Sequence, residues 1–127
     1  MIAADTSTWV AFLAGDTGED VQVLDRGLTD RHVVMIPVVL TELLSDPKIS
    51  ANAATLLADV PLTELRPGYW QRAGLLRAKV LARGRRARLG DALIAQCCMD
   101  ENIPLITRDR DFRAFSEAGG LHLSIPF

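Results

Sequence analysis

Short apolar runs that alternate with helix-forming segments constrain this chain more than any other feature. Ile2 to Asp5, Val33 to Ile36 and Leu105 to Thr107 are aliphatic and brief, and they read as buried strands. Leu62 to Leu65 and Leu121 to Ser124 read as two further short strands. The segments between them carry helix signals. Thr6 or Ser7 is expected to cap a helix that runs through Leu13 and stops at Gly15, and a second helix is expected over Glu19 to Thr29. Pro37 opens the helix VVLTELL, Ile49 to Asp59 reads as helix, and Tyr69 to Ala82 is a long amphipathic helix ending at Gly84. Asp91 to Glu101 is a nearly all-apolar helix, and Phe112 to Ala118 a last one that ends at Gly119 and Gly120. Strands and helices in alternation predict an α/β domain whose parallel sheet is covered on both faces. Ligands in such sheets collect at the carboxyl ends of the strands.

At 127 residues the chain is expected to form one domain over residues 1–127, long enough to bury about two thirds of its unfolded surface. The apolar run Val33 to Leu40 is too short to span a bilayer and contains Pro37, and no basic leader precedes an apolar stretch. A cytoplasmic protein with no membrane partner is the expectation. Cys97 and Cys98 are adjacent, which rules out an ordinary disulfide staple, and no Cys/His spacing suits zinc. They read as small hydrophobes in a buried helix in a reducing compartment. No GxSxG elbow, phosphate-binding Walker loop or GxGxxG fingerprint is present.

Four acids occupy comparable places. Asp5 closes the first strand, Glu42 lies in the helix after the second, Asp91 opens the apolar helix, and Asp109 follows the strand in LITRDRDF. Each has an ordinary structural use: Asp5 could cap the next helix, Glu42 could lie on a solvated stripe, Asp91 could complement a helix dipole, and Asp109 could be a turn residue with Asp111 as a cap. A parallel sheet would bring all four to one edge, where carboxylates in a poorly solvated cleft repel strongly. A hard divalent cation relieves that repulsion, and all-oxygen ligands favour Mg²⁺ or Mn²⁺. Thr6, Ser7 and Thr107 lie near enough in sequence to hydrogen-bond water or the ligating carboxylates.

The order Asp5, VLTELL with Glu42, LGDALIA with Asp91 and LITRDRDF with Asp109 resembles the PIN-domain ribonucleases, and among them the VapC toxins of bacterial toxin–antitoxin pairs. The match spans almost the whole chain. The resemblance implies a three-layer sandwich with a five-stranded parallel sheet flanked by helices, Mg²⁺-dependent endoribonuclease activity on RNA, homodimerisation, and inhibition by a cognate VapB-like antitoxin in a hetero-oligomer. It carries metal-ligand roles to Asp5 and Asp91, with Glu42 and Asp109 completing the catalytic acids. Asp111 is the alternative to Asp109, which is preferred because it directly follows the strand end. On this reading a metal held by Asp5 and Asp91 activates water for attack on a phosphodiester, and Glu42 or Asp109 orients that water or holds a second metal.

The net charge of −2 conceals an asymmetry. Between Glu64 and Asp91 there are eight Lys or Arg residues and no acid. An acidic pocket repels RNA, so the cluster Arg83, Arg85, Arg86 and Arg88, which runs directly into Asp91, is the expected phosphate-binding element. The alternative is a solvated helix face. Arg108, Arg110 and Arg113 form a second basic group. Trp9, Tyr69 and Trp70 could stack on bases, although core packing suits Trp9 better. His32 and His122 have no evident partners and read as non-catalytic. Two other function classes fit an acidic α/β domain less well. A phosphoacceptor receiver needs an acidic pair beside Asp5 and a lysine after a late strand, and the only lysines are Lys48 and Lys79. A catalytically silent RNA- or protein-binding domain would not need all four acids.

Overall fold

Ala3 and Ala4 form strand β1 (Ala3–Ala4), which pairs in parallel with β2 (Leu105–Ile106) at the centre of the computed structural model, and this structure describes residues 1–127. The register sets Ala3 opposite Leu105 and Ala4 opposite Ile106. Three further segments join through single parallel bridges: Ile2 to Val33, Met35 to Leu62, and Leu105 to Leu123. Across the sheet the order is therefore Leu62, Val33 to Met35, Ile2 to Ala4, Leu105 to Ile106, Leu123. These are the segments read from the sequence as strands, but only the central pair forms a continuous ladder. The others are cut short by what adjoins them. Pro37 begins a helix directly after Ile36, and Pro61 has no N–H to give to the edge beside the exposed Leu62. Backbone bonds still extend the parallel pattern outward, from Met35 N–H to Pro61 O at 2.7 Å and from Leu105 N–H to His122 O at 2.9 Å.

Seven helices surround this sheet: α1 (Thr6–Leu13), α2 (Glu19–Thr29), α3 (Pro37–Leu44), α4 (Ala51–Asp59), α5 (Tyr69–Ala82), α6 (Leu89–Glu101) and α7 (Phe112–Gly119). Successive strand residues face opposite sides of a sheet, and Ala3, Ala4, Leu105 and Ile106 are all buried. Both faces are thus covered, as a three-layer α/β architecture requires. Helix α1 packs on α2 and α3, while α5, α6 and α7 pack on one another. Trp9, Phe112 and Phe115 are the largest fully buried side chains.

Three boundaries differ from expectation, each for a local reason. Helix α1 is capped by Asp5, whose carboxylate accepts from Thr8 N–H at 3.1 Å, instead of by Thr6 or Ser7. Helix α4 begins after Ser50, whose hydroxyl accepts from Ala53 N–H at 3.0 Å, so Ile49 lies outside it. Helix α6 begins at Leu89, which places Asp91 third in its first turn. Asn102 ends that helix with a φ of 54°, a left-handed conformation that asparagine tolerates.

Close packing at the centre depends on one glycine of α2. A Cβ at Gly27 would lie 2.7 Å from Ile2 Cδ1 and 2.8 Å from Val33 Cγ2, whereas one at Gly74 on the exposed face of α5 would meet nothing within 4 Å. Gly27→Ala is expected to destabilise the fold by about 1–3 kcal/mol through overpacking. Gly74→Ala is expected to stabilise it by about 0.5–1 kcal/mol through helix propensity. Urea denaturation of both variants checks the contrast.

Candidate metal centre

Asp5 is the residue at which strand β1 becomes helix α1, and it is buried. A carboxylate there needs donors, and it has several. Ser7 Oγ lies 2.8 Å from each of its oxygens, Thr8 N–H donates to Oδ1 at 3.1 Å, and Thr107 Oγ1 donates to Oδ2 at 2.8 Å. Burial nevertheless wins, and together with the charge of Asp109 it raises the Asp5 pKa above the ordinary carboxylate value despite these bonds.

The neighbouring acids come from two other elements. Asp91 projects from the first turn of α6, and Asp109 and Asp111 from the segment between β2 and α7. One carboxylate oxygen from each of Asp91, Asp109 and Asp111 lies within 4.8 Å of the others. The segment after β2 is shaped by its own side chains: Thr107 Oγ1 accepts Asp109 N–H at 2.9 Å, and Asp109 Oδ1 accepts Asp111 N–H at 2.9 Å. Asp111 precedes α7 but its carboxylate makes no capping bond. It turns instead toward Asp91 and Asp109, with Arg86 Nη1 3.7 Å away. The fold thus brings both of the alternative acids of TRDRDF within 4.8 Å of Asp91.

Asp91 carries the strongest sign of an unmet demand. Its Oδ2 is buried without a hydrogen-bond partner. Burial, then the charge of Asp109, with smaller contributions from Asp5 and Asp111 and a partial offset from Arg88, pushes its pKa up to about 6. An oxygen in that state suits a divalent cation with oxygen ligands better than it suits protein donors, because none is in reach. Glu42 stands to one side of the group. It accepts from Thr6 Oγ1 at 2.9 Å and faces Gly90, whose Cβ position lies 3.6 Å from Glu42 Oε1. Asp5 and Glu42 are therefore adjacent to the three clustered acids without belonging to the 4.8 Å set.

The basic stretch is less uncompensated than its sequence implies. Arg66 pairs with Glu101 at 3.0 Å and Arg72 with Asp100 at 2.6 Å, because α5 packs along α6. Arg85 pairs with Glu117 at 3.1 Å and Arg86 with Asp111, both at the surface; Arg83 and Arg88 are exposed and have no ion-pair partner. Arg108, from the second basic group, is committed to Asp20 through a bidentate pair at 2.8 and 2.9 Å and is not a free phosphate ligand. That pair was illegible in the sequence, since its members are 88 residues apart. Tyr69 is buried, with its hydroxyl donating to Leu93 O at 2.6 Å, and Trp9 is in the core, so neither can stack on a base. Trp70, 65% exposed, can. His32 and His122 contribute backbone carbonyls to the sheet. Cys97 and Cys98 are buried free thiols with pKa values raised by burial.

The fold has counterparts among known proteins. The family described as PIN domain matches residues 2–118. Ribonuclease VapC5 of Mycobacterium tuberculosis is 24% identical over 125 residues, covering 94% of this chain and 90% of that protein. Among solved structures, VapBC2 from Rickettsia felis bound to a DNA fragment from its promoter superposes with a TM-score of 0.75 at 20% identity, over 98% of each chain. VapBC-5 from M. tuberculosis gives 0.68 at 24% identity, over 96% of this chain and 95% of that one. FitAcB from Neisseria gonorrhoeae gives 0.66 at 15% identity, over 97% and 96%. At these identities the solved structures show a shared fold.

The electrostatics generate a pH test. A carboxylate whose pKa is raised on folding contributes stability that is complete below its unfolded value, near 3.8, and is lost as pH rises through about 6. Asp91→Asn never has to ionise. In metal-free protein the melting temperature of Asp91→Asn minus that of wild type is therefore expected to grow as pH rises from about 4 to about 7. Asp20 and Asp100, held below the usual carboxylate range by Arg108 and Arg72, are common to both proteins and cancel. Saturating Mn²⁺ at neutral pH should raise the wild-type melting temperature and shift Asp91→Asn much less. Differential scanning calorimetry measures both effects.

Proposed function

Because this chain belongs to the PIN-domain family, we propose that residues 1–127 form a single PIN domain acting as an endoribonuclease, the toxin of a toxin–antitoxin pair. The observation that supports it most is the convergence of Asp91, Asp109 and Asp111 on one point beside Asp5, with Asp91 Oδ2 buried and unpartnered. Asp5, Asp91, Asp109 and Asp111 would hold a divalent cation, Mg²⁺ with Mn²⁺ as a substitute. Bound there, the cation would neutralise phosphate charge and lower the pKa of a water for in-line attack. The remaining work belongs to the protein. Glu42, which accepts from Thr6, would orient the attacking water or take its proton, and Ser7 and Thr107 fix the Asp5 carboxylate. The burial of Asp91 keeps competing water away from that oxygen.

RNA itself needs positive charge beside the acids. Arg83 and Arg88 are free, and the ion pairs of Arg85 and Arg86 are exposed and hence weak, so all four are available to phosphates. Trp70 is an exposed ring at the start of α5, the end of that helix away from the arginine cluster. The VapBC neighbours are toxin–antitoxin systems, which supports a VapB-like antitoxin as partner, with homodimers and toxin–antitoxin hetero-oligomers as the assemblies. An antitoxin that inserts a Lys or Arg among the acids would displace the cation and cover the arginines. No helix is long and apolar enough to cross a membrane.

Purified protein with Mg²⁺ or Mn²⁺ is expected to cleave single-stranded RNA. Asp91→Asn should lose more than the roughly 10- to 100-fold that follows removal of a group merely supporting a metal ligand. Cleavage that survives chelation, or that is as strong in Asp5→Asn and Asp91→Asn as in wild type, would refute the assignment. Arg85→Gln/Arg86→Gln/Arg88→Gln should weaken RNA binding across sequences and reduce the slope of log affinity against log salt by about 2, at about 0.7 per phosphate contact on a single strand. Fluorescence anisotropy over a salt series reads that slope, and an unchanged slope would leave these arginines as solvated surface.

A further inference from the structure

Outside the acidic group the structure holds one ion pair with a buried carboxylate and a partly exposed guanidinium that reaches it through hydrogen bonds. Asp20, 7% exposed in the first turn of α2, accepts from Arg108 Nε at 2.8 Å and Nη2 at 2.9 Å, and from Thr8 Oγ1 at 2.9 Å. Arg108 also donates to Thr17 O at 3.2 Å. Each partner of Asp20 is one step from Asp5. Thr8 gives its N–H to Asp5 Oδ1, and Thr107, the residue before Arg108, gives its hydroxyl to Asp5 Oδ2 while accepting Asp109 N–H. Asp5, Thr8, Asp20, Arg108 and Thr107 thus close a ring.

Gly18 supplies a second, independent observation. It precedes α2 with a φ of 150°, and a Cβ there would lie 2.6 Å from Asp20 Oδ1 and 2.9 Å from Arg108 Nη2. A side chain there would have to displace the ion pair and would sit in a backbone conformation that L residues rarely adopt. A bidentate guanidinium–carboxylate fork fixes orientation as well as distance. With the Arg108 side chain 37% exposed, the pair adds little to stability alone.

We propose that Asp20 and Arg108 are positioning residues of the nuclease site, an inference that rests on the function proposed above. Pinned to α2, Arg108 holds the segment after β2 so that Thr107 meets Asp5 and Asp109 faces Asp91. The pair acts through the residues on either side of Arg108 and touches no substrate. A matched control exists in the same chain. Arg72 and Asp100 form an equivalent fork, with Gln96 Nε2 donating to Asp100 Oδ1 at 2.8 Å, at the opposite end of α6 from Asp91.

The test compares Asp20→Asn, Gly18→Ala and Arg108→Lys with Asp100→Asn in the full chain. Mn²⁺ affinity is measured by calorimetry without RNA, amide exchange is followed over residues 107 to 111, and kcat and KM are measured on RNA. Asp20→Asn and Gly18→Ala are expected to lower Mn²⁺ affinity and kcat about 10- to 100-fold, as loss of groups that orient metal ligands does. KM should stay unchanged and exchange at Asp109 N–H should quicken. Arg108→Lys keeps the charge and loses the fork, so it should lose Mn²⁺ affinity while preserving the salt dependence of RNA binding. Asp100→Asn should lower only the melting temperature. A raised KM with a flatter salt slope in Arg108→Lys would overturn the proposal in favour of direct RNA contact. A lower melting temperature with metal affinity, exchange and kcat like those of Asp100→Asn would reduce the pair to a structural strut. If wild type binds Mn²⁺ but cuts no RNA, the nuclease reading fails, and metal affinity and exchange still decide the role of the pair.

Discussion

Carboxylates repel one another, and this chain folds in a way that forces several of them together. Asp91, Asp109 and Asp111 share a space of under 4.8 Å beside a buried Asp5. Everything around that point works against the repulsion. Hydroxyls of Ser7 and Thr107 and the N–H of Thr8 surround Asp5, the positive end of α6 lies under Asp91, and Arg86 and Arg88 stand nearby. Even so, Asp91 keeps an oxygen with no partner and a pKa pushed up to about 6. Such a concentration of like charge persists in a folded protein only where the rest of the structure is stable enough to hold it.

The stability comes from elsewhere in the molecule. The short strands are buried on both faces, and the helices close over them with Trp9, Phe112 and Phe115 fully enclosed. Forked ion pairs fix the orientation of distant elements more than they add stability: Arg72 with Asp100 joins the start of α5 to the end of α6, and Arg108 with Asp20 joins the segment after β2 to α2. The acids themselves are mounted on a strand end, a helix first turn and a segment braced by its own hydrogen bonds, which leaves them little freedom to spread apart. Rigid supports of this kind are what keep a site preorganised for a cation.

The sheet also explains how the charge asymmetry along the chain becomes a local arrangement. The acid-rich first half and the base-rich second half interleave, since β1 pairs with β2 across more than a hundred residues of sequence. Arginines that look unopposed between Glu64 and Asp91 find acids on α6 and α7, while Arg88 acts on Asp91 and Arg86 lies beside Asp111. A basic rim beside an acidic centre follows, and it is the charge pattern a polyanion requires if its backbone is to approach a metal.

The sequence by itself determined the alternation of strand and helix, and with it the parallel sheet and the edge at which Asp5, Asp91 and Asp109 meet. Periodicity, capping residues and glycine stops are local signals, so α2 and α5 were legible with their ends, and Pro37 marked the start of α3. The order of the acids along the chain was likewise enough to indicate the family. Only the tertiary structure decided that Asp111 joins the group instead of capping α7, that Glu42 stands apart with Thr6, that Tyr69 is buried, and that Arg108 serves Asp20. Those outcomes depend on pairings between residues tens of positions apart, and on which face of a helix meets another. Local composition carries no record of either, because the energy of such contacts exists only once packing has brought the partners together.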